Sequence, residues 1–220
     1  MGIISIEQAD HILWLGRYTE RVYTTVSLYN RYFDSMIDGT LETYPEFCEK
    51  LDIPNIYTDA QDFMSRYLYD TENPDSIISN LYRAFDNAIV LRETIGSEAL
   101  SYIQLAIYAW KNASQNPAPL LETQKLIDHI MAFWGITDDL VDSEEVRNIL
   151  KAGKRIERTD LYARLGMPKA AILREIHRLC PRVERSGLPY DPAKLERLTA
   201  LANEEQTDYY KIVREVESIF

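Results

Sequence analysis

Two short stretches of this sequence carry the residue types of a carboxylate-and-guanidinium site. Residues 16–21 read Gly-Arg-Tyr-Thr-Glu-Arg, and residues 153–158 read Gly-Lys-Arg-Ile-Glu-Arg. The shared pattern is glycine, a basic residue, two variable positions, then Glu-Arg. On a helix, the residue four positions after the glycine stands about 40° around and one turn along from it. Glu20 therefore flanks the notch at Gly16, and Glu157 the notch at Gly153. Glycine costs about 1 kcal/mol relative to alanine in a helix interior, and it suits a place where another backbone comes close. A glutamate at such a crossing must be paired, hydrogen-bonded or neutralised. Arg83 and Asn87 share one helix face, with Arg92 farther along, and all three could answer the carboxylates. The expected centre is Glu20, Glu157, Arg83 and Asn87, edged by Arg17, Arg21, Lys154 and Arg158. Its chemistry would be arginines clamping a carboxylate while Glu20 or Glu157, with a raised pKa, acts as acid or base. The plainer reading, ordinary surface ion pairs at helical spacing, stays open beside it.

Other constellations carry less. Asp138-Asp139-Leu140-Val141-Asp142 matches the DDxxD arrangement with which helical isoprenoid synthases hold magnesium against a diphosphate. A second metal-binding motif is lacking, and the aspartates precede a helix cap at Ser143, where acids are favoured by the helix dipole. His11, His129 and His177 are isolated, and neither Cys48 nor Cys180 has a histidine close in sequence. Two distant cysteines make no disulfide framework and no zinc site. Among fifteen tyrosines, Tyr18, Tyr29 and Tyr82 fall on apolar faces, where core packing is the default and a lined pocket the alternative.

Helices must position all of these. Ser5 with Gln8 makes a capping box, and Leu15, Tyr18, Val22, Val26, Tyr29 and Phe33 then form one apolar stripe ending at Gly39. Residues 40–57 read as a short helix and connector, and Thr58 with Gln61 opens a helix to Tyr69. Asn73-Pro74 opens another through Ile77, Leu81, Ala84, Ala88 and Leu91. Gly96 breaks it before Leu100, Ile103, Ile107 and Trp110. Asn116-Pro117, Ser143, Pro168 and Asp191-Pro192 announce the remaining starts, the last helix running toward Phe220. The expectation is an all-α chain, a single domain over 1–220, built as a bundle of seven to nine helices with an internal pseudo-repeat.

The totals bound the partners. Hydrophobic residues make up 46% of 220, enough for a sizeable core. The net charge of −11 opposes general binding to nucleic acid or an anionic membrane, although Arg174, Arg178, Arg182 and Arg185 could form a local basic patch. No secretory leader and no apolar run of membrane-spanning length appear. A reduced, cytoplasmic protein is expected, with homo-oligomerisation left open.

Residues 9–21, Ala-Asp-His-Ile-Leu-Trp-Leu-Gly-Arg-Tyr-Thr-Glu-Arg, closely resemble the opening of the bacterial alpha-E family. The segment from Asn73-Pro74 through Arg83, Asn87, Arg92 and Ser97-Glu98 resembles its middle block, and Gly153 to Arg158 its second Glu-Arg block. Asp10 stands where the family favours Glu, and Lys154 where it favours Arg. The resemblance implies a place beside circularly permuted ATP-grasp ligases and transglutaminase-like proteins in a peptide or amide-bond modification system. This chain has no glycine-rich phosphate loop of the P-loop or dinucleotide type, so no cofactor is expected and a partner would bind any ATP. Two readings follow. One is a non-catalytic scaffold or accessory partner of the amidoligase; the other is an enzyme or substrate-holding subunit working through the Glu/Arg cluster. A closed, well-paired cluster favours the first, and an accessible one the second. A diphosphate binder acting through DDxxD is the remote third.

Overall fold

The computed structural model describes residues 4–37, 43–114, 119–205 and 207–220. Every regular element among them is a helix. In chain order these are α1 (Ile6–Ile37), α2 (Thr43–Leu51), α3 (Ala60–Tyr69), α4 (Ile77–Val90), α5 (Arg92–Ile95) and α6 (Ser97–Ala113). They continue as α7 (Pro119–Leu140), α8 (Glu144–Arg164), α9 (Lys169–Glu184), α10 (Pro192–Asn203) and α11 (Tyr209–Glu217). The all-α class holds. The count is eleven because Arg92–Ile95 forms its own turn before Gly96, and because the last apolar run divides after Asn203.

Local chemistry explains most of the boundaries. Ser5 Oγ accepts from the Gln8 amide at 3.1 Å, opening α1 as its sequence suggests. The end anticipated at Gly39 and the start at Asn116-Pro117 lie outside the described residues. Two expected starts shift. The cap of α3 is Asp59, which accepts from Asp62 N at 2.9 Å, while the Asp62 carboxylate takes the Thr58 amide at 3.0 Å. Asn73 instead holds a local turn through Asp75 N, and Ser76 caps α4 by accepting from Ser79 N. Gly96 adopts φ 85°, a conformation that suits glycine and separates α5 from α6. At the end of α8, Gly166 N bonds to Ala163 O and Met167 N to Tyr162 O, a Schellman stop with Gly166 in the left-handed region.

The chain packs as two compact units. The first comprises Met1–Glu20 and Asp142–Phe220, the second Arg21–Val141. In the first, α8, α9, α10 and α11 enclose Ile156, Ile172, Ile176, Leu179, Leu198, Ile212 and Val216, with Leu13 of α1 against them. In the second, the α6–α7 pair and α4 bury Leu81, Ile103, Trp110, Leu126 and Phe133. Trp110 Nε1 donates to Leu68 O at 2.9 Å, satisfying the indole inside that core. Beside it Phe47, Tyr57, Phe63 and Tyr67 form an aromatic nest with centroids 5.0–5.8 Å apart. The Tyr57 hydroxyl accepts from Asn73 Nδ2 within it.

Candidate functional site

The first unit contains the two motif copies, and it brings their helices into backbone contact. A Cβ added at Gly16 would collide with the Leu150 carbonyl oxygen and lie 3.2 Å from Lys154 N. One added at Gly153 would collide with the Leu13 carbonyl oxygen and lie 3.3 Å from Arg17 N. Leu13 precedes Gly16 by three residues, as Leu150 precedes Gly153, so each glycine receives the same part of the opposite helix. That reciprocity is a local pseudo-twofold crossing, and the missing side chains permit it.

Both glutamates lie at this crossing with 0% exposure. Their guanidinium partners come from the opposite motif copy. Arg17 Nε donates to Glu157 Oε2 at 2.8 Å, and Arg158 Nε donates to Glu20 Oε1 at 2.5 Å. The arginines are themselves 12% and 14% exposed, so the pairs are shielded from screening water. Arg17 also lies over the Trp14 ring, 4.7 Å from its centroid, and Trp14 stacks on Tyr18. Burial pulls the Arg158 pKa down, but Glu20 more than offsets that, and the net direction is upward. Burial pushes the Lys154 pKa down to about 7; Glu20 opposes the shift, while Arg158, Arg155 and Lys151 add to it.

The structure thus joins Arg17, Glu20, Lys154, Glu157 and Arg158. Arg21, Arg83, Asn87 and Arg92 belong to the second unit. There, Thr25 Oγ1 donates to Arg21 O, Arg83 Nη1 donates to Pro74 O at 2.9 Å, Asn87 Nδ2 to Arg83 O at 2.7 Å, and Arg92 Nε to Ser97 Oγ at 3.1 Å. Arg17 and Arg158, expected at the edge of the cluster, are the residues that hold the acids.

Two further carboxylates continue the network along α8. Glu175 of α9, 1% exposed, receives Arg155 Nη1 at 2.5 Å and Arg178 Nη1 at 2.9 Å, with Arg174 Nε at 3.7 Å. Asp160 accepts from Arg164 Nε at 3.0 and 3.1 Å, and Arg164 Nη2 reaches Glu217 at 3.4 Å. Burial, and then the Glu157 charge, push the Asp160 pKa up to about 6, against the pull of Arg164. Glu175 was missed in sequence, although it interrupts the apolar stripe Ile172-Ile176-Leu179-Val183 with an acid on the inner side.

The remaining candidates sit apart. Asp138 and Asp139 are exposed in the last turn of α7, not at the start of α8, so their placement owes nothing to a favourable helix dipole. Ser143 does cap α8, accepting from Val146 N at 3.3 Å. Among the described residues no three histidines, cysteines or acids are grouped to hold a metal ion. Both cysteines are free thiols, and burial pushes Cys48 up to about 11. An open groove of about 400 Å³ between α10 and α11 is lined by Arg197, Leu201, Lys211, Arg214 and Glu215 among others, and by no motif residue.

Comparison with known families agrees with these features. The chain matches Alpha-E, described as a predicted alpha-helical domain with a conserved ER motif, over residues 7–202. The chain belongs to the Alpha-E family. Of the Glu-Arg dipeptides in this chain, Glu20-Arg21 and Glu157-Arg158 supply the two glutamates that lie buried at the crossing. No curated protein and no solved structure matches it. Among the described residues, no helix is long and apolar enough to cross a membrane.

Proposed function

We propose that this chain is a non-catalytic helical partner of an ATP-grasp amidoligase, and that its Glu-Arg motifs are a structural clasp. One observation carries the second part. Both glutamates are fully buried, and each is held by an arginine of the opposite copy. A general acid or base must reach a substrate proton within hydrogen-bonding distance, and a carboxylate sealed between two backbones is poorly placed for that. A buried ion pair instead fixes which surfaces of two helices meet. The resemblance to the family implies the ligase partner, which would supply any ATP site. A transglutaminase-like protein is a further partner in the same system.

The test is co-expression of the chain with an ATP-grasp protein encoded beside it, followed by co-purification and product analysis. A stable complex is expected, with Glu20→Gln and Glu157→Gln weakening the chain's own stability. Complexes that still assemble should keep making product. Assembly without product would transfer the motif to catalysis.

A second reading has one specific observation in its favour. Lys154 stands beside Glu20 with its pKa pushed down to about 7, which suits an amine that gives and takes a proton near neutrality. A substrate-holding or catalytic subunit would use it, and Lys154→Met would then abolish product while leaving assembly intact.

A further inference from the structure

The hairpin of α8 and α9 segregates charge in a way the clasp does not require. From Arg147 to Arg182 the sequence holds ten lysines and arginines and only three acids, Glu157, Asp160 and Glu175. All three acids are buried, at 0%, 3% and 1% exposure. The remainder of the chain carries fourteen bases and thirty-two acids. Within an acidic protein, the stretch from Arg147 to Arg182 therefore offers cationic charge to solvent, while the exposed Glu144, Glu145 and Glu184 lie at the outer ends of the two helices.

Its centre is fixed. Glu175 is one carboxylate surrounded by three guanidiniums, of which Arg155 already answers it at close range. Arg174 and Arg178 are held to the same carboxylate, yet their side chains stay 58% and 51% exposed. Each guanidinium has five N–H donors in a planar fork, and Glu175 occupies only one edge of either. The outward edges are preset to receive another carboxylate in paired geometry. Farther along, Arg182 Nη1 is steadied by Asn148 Oδ1 at 2.9 Å, which extends the row toward Arg147. Two acids that reach the hairpin from other helices are engaged away from this centre: Glu20 is buried against Arg158, and Glu217 pairs with Arg164 near the α8 C-terminus.

We propose that the outer face of α8–α9, centred on Arg174 and Arg178, is a docking surface for a short acidic segment of a partner protein. Charge complementarity selects the occupant. A short stretch of Asp and Glu can lie on the cationic row alone. A long nucleic acid or an anionic bilayer must also approach the thirty-two acids carried elsewhere, and like charge opposes it. The proposal does not depend on the partner being a ligase.

Fluorescence anisotropy with the full chain tests it. The probes are a labelled Glu-rich peptide of about ten residues, its Gln counterpart and a single-stranded oligonucleotide of similar length. The Glu peptide should bind, and weaken several-fold between about 50 and about 300 mM salt. The pair Arg174→Ala and Arg178→Ala should weaken binding about tenfold or more. Lys125→Ala, at an exposed position of α7, should leave it unchanged. Both arginines are half exposed, and a single cooperative melting transition verifies that the double variant folds. No binding by the Glu peptide at about 1 mM, or affinity unchanged in the double variant, overturns the proposal. So does an oligonucleotide that binds as tightly as the peptide, or a Gln peptide that binds equally well.

Discussion

Gly16 and Gly153 are each other's counterpart: the backbone three residues before one fills the space where the other lacks a side chain. The helices can approach this closely only because both positions are empty. Alanine at either site would gain about 1 kcal/mol of helix propensity and lose more by forcing two carbonyl-lined backbones apart. Gly16→Ala and Gly153→Ala should each destabilise the protein by about 2–4 kcal/mol in urea titration. Gly135, in α7, would meet nothing within 4 Å. Gly135→Ala should therefore stabilise, by about 0.5–1 kcal/mol.

The ion pairs at the crossing should show strong coupling. Glu157→Leu strands the Arg17 guanidinium in a dry site and should cost about 3–5 kcal/mol. Adding Arg17→Met removes the stranded charge, and the double variant should recover most of that loss. A double-mutant cycle giving less than about 1 kcal/mol of coupling would mean water reaches the pair after all.

Asp160 introduces a dependence on acid. Its pKa is about 6 in the folded chain against 3.8 for the ordinary carboxyl. Between those values the folded state holds more protons than the unfolded one, so stability falls as pH rises from about 4 to about 6. The loss is on the order of 2–3 kcal/mol. Asp160→Asn should flatten the unfolding free energy over that window and leave the variant more stable at pH 7.

Lys154 acts at the other end of the scale. Its folded pKa, about 7, lies below the ordinary 10.5. The unfolded chain holds the extra proton between these values, and stability should climb as pH rises from about 7 to about 10. Lys154→Met should remove that slope and add at least about 1 kcal/mol at neutral pH. Denaturant midpoints at matched ionic strength check both lysine and aspartate variants.

The three arginines on Glu175 should not be equivalent. Arg155 is the more buried and the closer at 2.5 Å, whereas Arg178 is half exposed at 2.9 Å. Arg155→Ala should cost about 2 kcal/mol, and Arg178→Ala below about 1 kcal/mol. Equal costs in thermal or denaturant unfolding would show that Glu175 shares its charge evenly among them.

Much of this was legible in one dimension. Apolar residues at three- and four-residue steps marked α1, α4 and α6, because a helix that buries one face must repeat at its own pitch. Caps at Ser5, Ser143 and Asp191 carry hydroxyl or carboxylate groups that answer orphan amides two or three residues ahead, an interaction complete within the first turn. Asn73 misled for the same reason: its side chain is equally able to hold a turn, and Ser76 lay within reach to take over the cap.

What the linear order established was that Gly16 with Glu20, and Gly153 with Glu157, repeat one arrangement, since i to i+4 geometry is a property of the helix alone. Which arginine meets which glutamate was a tertiary decision. Arg17 and Glu157 are separated by 140 positions, and only the crossing of α1 over α8 places them 2.8 Å apart. Local spacing can state what a face presents; long-range packing chooses the face that it meets. The burial of Glu175, and with it the outward turn of Arg174 and Arg178, depended on that same choice.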